Sequence, residues 1–328
     1  MSPPNLMPRW KQVLVNIARV CLYFSVSITI TDQSILDRVT IDTLPDDVLL
    51  KIFRFYRNRW ENEWHTLVRV CHRWRSIVFA SPRHLNLGIE YKGKRPLSEM
   101  PGDWPVLPVA IRHSFNRSSS YWGNMAGALE SEHRHRICYI DLSSIPTSHW
   151  ERFAAAMQKP FPELTCLFWT NTATSLPDSL LGGSAPLLQQ LILINCPFPG
   201  LPKLLLSAKQ LVDLYIWDIP DSGYISPQDL VTALSVLSRL EDLLLEFRSP
   251  LYPASRLPPP LTRSVLPALT RLKFKGVHEY LEDLLAQIEA PLLDETYVKF
   301  FIDPDFVLPQ LHRLISHGNR SRHATEQL

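Results

Sequence analysis

Seven times between Ile137 and Val298 the chain repeats one hydrophobic frame. Leu188-x-x-Leu191-x-Leu193 recurs as Leu211-x-x-Leu214-x-Ile216, Leu240-x-x-Leu243-x-Leu245 and Leu269-x-x-Leu272-x-Phe274. Looser copies are Ile137-x-x-Ile140-x-Leu142, Leu164-x-x-Leu167-x-Trp169 and Leu293-x-x-Thr296-x-Val298. First positions fall at 137, 164, 188, 211, 240, 269 and 293, so the intervals run from 23 to 29 residues. The last two apolar positions alternate with other residues, which is the period of a strand. The spacers carry helical spacing instead. Ser226-Pro227-Gln228-Asp229 is an N-cap signature, and Leu230, Ala233, Leu234 and Leu237 continue one face. Tyr280, Leu281, Leu284, Leu285 and Ile288 do the same, as do Trp150, Phe153, Ala154 and Met157. One strand and one helix per 23 to 29 residues predicts parallel strands stacked into an α/β repeat, because no unit that short buries its own face. A conventional α/β domain with a short crossover per strand is the competing architecture.

A different pattern occupies 43–80. Leu44, Val48, Leu49, Ile52, Phe53 and Tyr56 recur at three-to-four spacing behind Pro45, Asp46 and Asp47, which suit the first turn of a helix. Trp64, Leu67, Val68, Cys71, Trp74, Arg75 and Val78 predict one second helix, ended by Pro82. Two or three helices in about forty residues need another surface to bury against. Beyond Pro82 the alternation in 85–89 and 107–111 predicts two strands, and 114–123, with Arg117, Tyr121 and Trp122, reads as an exposed loop. The domain plan is therefore an apolar extension over 1–40, a helical module over 41–82, the repeat domain over 83–316 and a disordered polar tail over 317–328.

The Leu44-Pro45-Asp46-Asp47-Val48-Leu49 opening and the Val70-Cys71-His72-Arg73-Trp74 closing segment resemble an F-box. In that family the module docks a substrate receptor onto a Skp-type adaptor, and through it onto a cullin–RING ubiquitin ligase. Asp47 stands where the family most often has Glu, and the charged middle over 54–63 is looser than its usual linker. The wording is similar to the expanded F-box proteins of mushroom-forming fungi in stretches such as Phe161-Pro162-Glu163-Leu164-Thr165 and Gly276-Val277-His278-Glu279-Tyr280. That resemblance covers most of 41–316 and implies an F-box followed by degenerate leucine-rich-like repeats. An ordinary amphipathic helical hairpin capping the rest of the chain is the plain alternative for 43–80.

Composition narrows the function classes. A net charge of +2 implies no polyanion partner, so no nucleic acid is expected. Gly is scarce at 11 against 28 Pro, which argues against glycine-rich phosphate loops. The five cysteines are odd in number and scattered, as in a reduced cytoplasmic or nuclear protein rather than a disulfide framework or a zinc site. No hydrolase elbow, phosphate loop or zinc-protease motif is present in the sequence, so no enzyme, cofactor or metal is expected. The apolar run over 13–30, interrupted by Asn16 and Arg19, has an unbroken core over 20–30 that is too short to span a bilayer. It leaves a membrane tether open as an alternative.

The expectation is thus a non-enzymatic substrate receptor whose partners are a Skp-type adaptor and an unknown cargo protein. The resemblance implies adaptor contacts at Leu44, Pro45, Asp47, Val48, Leu49, Ile52 and Phe53. Strand alternation places Gln190, Ile192, Asp213, Tyr215, Asp242, Arg271 and Lys273 on the face opposite the leucines, where cargo would bind. A non-degradative scaffold that has lost adaptor binding is the second reading.

Overall fold

A computed structural model describes residues 43–57, 67–81, 85, 87–99, 107–112, 119–143, 145–170, 175–251, 263–302 and 308–314. The apolar run over 13–30 and the polar tail over 317–328 lie outside the described residues. Two compact units form: one runs to Ile89 and includes Leu107 and Pro108, and the other takes Glu90 onward, with 109–314.

The first unit is built on α1 (Asp46–Arg57) and α2 (His72–Ala80). Pro45 opens α1, its carbonyl accepting from the amides of Val48 and Leu49 at 3.1 and 3.0 Å. The second helix is not continuous as its apolar spacing suggests. A turn at Val68–Val70 interrupts it, and Cys71, extended at φ −155°, restarts it as N-cap, with its Sγ accepting from the amide of Trp74 at 3.5 Å. Arg75 Nε binds the carbonyl of Val68 at 3.0 Å, which satisfies an acceptor exposed by the break. Leu49, Phe53, Leu67, Trp74 and Val78 form the core with Leu85, Leu87 and Leu107. This core therefore reaches past the boundary expected at 82. Leu85 and Leu87 serve as core side chains outside any strand; the first strand, β1, is Ile89–Tyr91.

The second unit is a nine-stranded sheet in the order β1-β2-β3-β4-β5-β6-β7-β9-β11. Its strands after β1 are β2 (Val109–Ile111), β3 (Ile137–Leu142), β4 (Cys166–Thr170), β5 (Gln190–Ile194), β6 (Asp213–Ile219), β7 (Asp242–Phe247), β9 (Arg271–Gly276) and β11 (Glu295–Phe300). From β2 to β11 every neighbouring pair is parallel. A separate two-residue pair joins β8 (Ser264–Val265) to β10 (Ile288–Glu289). Helices α3 (Ser119–Glu130), α4 (Trp150–Ala156), α5 (Leu201–Leu205), α6 (Pro227–Leu234) and α7 (His278–Gln287) lie between strands in the chain.

All seven copies of the hydrophobic frame sit at strands. Leu164, Leu188, Leu211, Leu240, Leu269 and Leu293 are buried two positions before β4, β5, β6, β7, β9 and β11 respectively. The other two apolar positions form inward rows in register. One runs Ile140, Leu167, Leu191, Leu214, Leu243, Leu272; the next runs Leu142, Trp169, Leu193, Ile216, Leu245, Phe274. Both rows are buried in one cluster with helix residues such as Phe153, Leu204, Leu230 and Leu284. At the strand entrances backbone bonds run from repeat to repeat: Val212 N to Gln189 O at 2.7 Å, Glu241 N to Val212 O at 2.9 Å, Thr270 N to Glu241 O at 2.9 Å. The Ser226 cap forms as its sequence predicts, accepting from Asp229 N at 3.1 Å while its hydroxyl donates to the Asp229 carboxylate at 2.6 Å. From Ser119 on, the segment read as an exposed loop is instead helix, while 114–118 lie outside the described residues. Tyr121, Trp122, Met125, Ala126 and Leu129 are buried along α3, at the spacing of a helix face that its Ser and Gly content obscures.

Candidate functional site

In the first unit the residues proposed for an adaptor divide into two sets. Pro45 and Asp47 are exposed, and Leu44, Val48 and Ile52 are half-buried, Leu44 and Ile52 at the edge of the core. Leu49 and Phe53, at 0% and 1% exposure, are interior instead. Phe53 meets Trp74 at a ring separation of 4.8 Å. The heptad-like spacing that marks an apolar face cannot distinguish the side that packs on α2 from the side left outside; the two share one helix stripe. Arg73 fixes the entrance, its guanidinium reaching the Asp46 carboxylate at 2.6 and 3.1 Å and the carbonyl of Leu44 at 2.5 Å. The Leu44–Pro45 corner is thereby held in place by a residue of the other helix.

On the sheet, the side chains between the inward rows make three outer rows. The first runs Tyr139, Cys166, Gln190, Asp213, Asp242, Arg271, Glu295 in register across seven strands. Between Cys166 and Arg271 most of its neighbours are linked by hydrogen bonds into a ladder. Cys166 Sγ donates to Gln190 Oε1 at 3.2 Å, and Gln190 Nε2 donates to Asp213 Oδ2 at 3.0 Å. Asp213 stands beside Asp242 in register, and Arg271 donates through Nε and Nη2 to both oxygens of the Asp242 carboxylate. Asp242 is buried at 5% exposure, while the Arg271 side chain is half exposed. Desolvation first, and then the bond to and charge of Asp242, push the Asp213 carboxyl above the usual carboxylate range. The Asp242 partner in turn holds Arg271 still more firmly protonated than a free guanidinium. Of the seven cargo candidates, Asp242 is thus spent on the ladder, whereas Gln190, Ile192, Asp213, Tyr215, Arg271 and Lys273 keep solvent-facing area.

The second outer row runs Asp141, Phe168, Ile192, Tyr215, Leu244, Lys273, Tyr297. Beside it, one alternation further along the strands, stand Thr170, Ile194 and Trp217, then Glu246, Lys275 and Lys299. Tyr215 and Trp217 lie stacked, ring centroids 6.5 Å apart and planes within 10°. Trp217 is 38% exposed, unusual for so large an apolar side chain. Sequence reasoning missed Phe168, Ile194, Trp217, Tyr297, Lys275 and Lys299. Continuing the alternation one residue past each frame would have found Ile194, Trp217 and Lys275.

Burial pushes the Cys138 thiol up and the Cys166 thiol to about 12, so both stay protonated. The described cysteines, Cys71, Cys138, Cys166 and Cys196, form no disulfide with one another. Among the described residues no cluster of His, Cys, Asp and Glu could hold a metal ion, and no helix is long and apolar enough to cross a membrane.

A family model described as F-box-like matches residues 41–83. The chain carries an F-box-like domain. No curated protein matches the chain. The matched span contains both α1 and α2, so the Arg73–Asp46 pair and the Phe53–Trp74 contact are internal to the F-box-like domain. Domains of this type generally bind Skp-type adaptors of cullin ligases.

Proposed function

We propose that the chain is the substrate-recognition subunit of a Skp–cullin–F-box ubiquitin ligase and is itself not an enzyme. The F-box-like match over 41–83 carries this reading. Leu44, Pro45, Asp47, Val48 and Ile52 are the side chains available to an adaptor. The parallel sheet is read as a leucine-rich-like solenoid, on the support of seven frames in register, most of them followed by a helix. Its outer rows bind the cargo protein, with Ile192, Tyr215 and Trp217 at the centre. The scattered cysteines, with no disulfide among the described ones, support a cytoplasmic or nuclear location.

Co-expression of the full chain with a Skp-type adaptor and a cullin–RING pair tests the proposal. One complex containing all components on size exclusion is the expected result. A chain that elutes free of the adaptor contradicts it and leaves a binding scaffold.

A further inference from the structure

We infer that the outer face of the sheet takes an extended acidic peptide segment of the cargo, anchored by one bulky apolar residue. The inference rests on the reading of that face as the cargo surface and names the chemistry it selects. The apolar part lies on β5, β6 and β7, where Ile192, Tyr215 and Leu244 are neighbours in one row and Trp217 stacks beside Tyr215. An exposed Trp217 beside half-buried Tyr215 and Ile192, with Leu244 buried next to them, is the composition of a binding hot spot. The charged part lies on the next two strands. Lys273 and Lys299 are exposed on β9 and β11, and neither has a carboxylate partner among the described residues. Arg271, by contrast, is already engaged by Asp242, and Lys275 lies over the Phe301 ring at 5.5 Å.

The charges on these strands therefore leave lysines without partners beside an apolar anchor site, which complements a carboxylate-bearing segment. Geometry sets the spacing. Two strand steps separate β6 from β9, about 10 Å at ~4.8 Å per step, and an extended chain covers this in about three residues. The selected segment should carry Asp or Glu about three positions from a bulky apolar residue.

Selection of unmodified random heptapeptides displayed on phage, against the full chain co-purified with adaptor, tests this. Enrichment of peptides with that apolar–acidic spacing is expected. One enriched peptide, measured by fluorescence anisotropy, should bind about tenfold or more weakly to Trp217→Ala and to Lys273→Glu with Lys299→Glu, each variant still capturing adaptor. Raised salt should weaken the parent more than the lysine variant. No enrichment, enrichment without acidic residues, or binding indifferent to both variants would overturn the proposal. Adaptor capture with such a negative selection leaves the receptor reading standing. The expected selection by a chain that captures no adaptor keeps the surface and removes the receptor.

Discussion

Arg73 and Asp46 are joined across 27 positions by two hydrogen bonds of 2.6 and 3.1 Å, and the same guanidinium holds the carbonyl of Leu44. The pair is exposed, so its direct contribution to stability is small, ~0–1 kcal/mol. Its consequence is positional. It fixes the Leu44–Pro45 corner against α2, so the residues offered to an adaptor are oriented by the residue just before Trp74 in the closing segment. Arg73→Ala should leave the thermal midpoint nearly unchanged while weakening adaptor capture. A large drop in the midpoint with intact capture would refute this division.

Leu49 separates packing from docking. Fully buried beside Phe53 and Trp74, it belongs to the core of the first unit. Leu49→Ala should destabilise that unit by ~2–5 kcal/mol in urea unfolding followed by tryptophan fluorescence. The exposed neighbour change Lys51→Ala should stay within ~0.5 kcal/mol. Equal midpoints for the two variants would show that α1 does not pack as described.

Asp213 gives an unusual pH dependence. Its folded-state pKa is raised, so the folded protein binds this proton more tightly than the unfolded chain does. Its contribution is therefore fully present below the ordinary aspartate pKa, ~3.9, and is lost as pH rises through the raised value. At neutral pH the Asp213 carboxylate beside Asp242 costs stability, by less than ~1 kcal/mol because the group is partly solvated. Asp213→Asn should therefore be the more stable protein at neutral pH, with the gap closing on acidification. A variant less stable at neutral pH than at acid pH, relative to the parent, would contradict the ladder's electrostatics.

Ser226 caps α6, accepting from Asp229 N, and the Asp229 carboxylate completes the local pair. Ser226→Ala should lower stability by ~1 kcal/mol and Ser226→Asp by little, since an aspartate also caps. Chemical denaturation of the two variants checks this; an unchanged midpoint in Ser226→Ala would mean the cap contributes nothing.

The strands were legible because their inward rows are leucine at fixed spacing, and burial allows little else there. Helix starts were legible where a cap and a proline coincide, as at Ser226-Pro227. What escaped had physical causes. Helix α3 carries Gly123, Gly127, Ser119 and Ser120, which mask the face of Tyr121, Trp122 and Met125. The break before α2 is set by Cys71 capping Trp74, a sulfur bond with no sequence signature. Trp217 lies past its frame because β6 runs on to Ile219, with the register to β7 shifting between Ile216 and Ile219. Asp242 looked available for cargo because alternation gives a residue's face but not its partner, and Arg271 takes it.

Capture of a purified Skp-type adaptor by the full chain, compared with Leu44→Ala/Pro45→Ala and with Trp217→Ala, tests the central claim most directly. The account predicts capture by the parent and by Trp217→Ala, and a loss of about tenfold or more, ~1.4 kcal/mol or greater, in the double alanine that keeps its circular-dichroism spectrum. Capture by none of the three, or capture untouched by the double alanine, would contradict it.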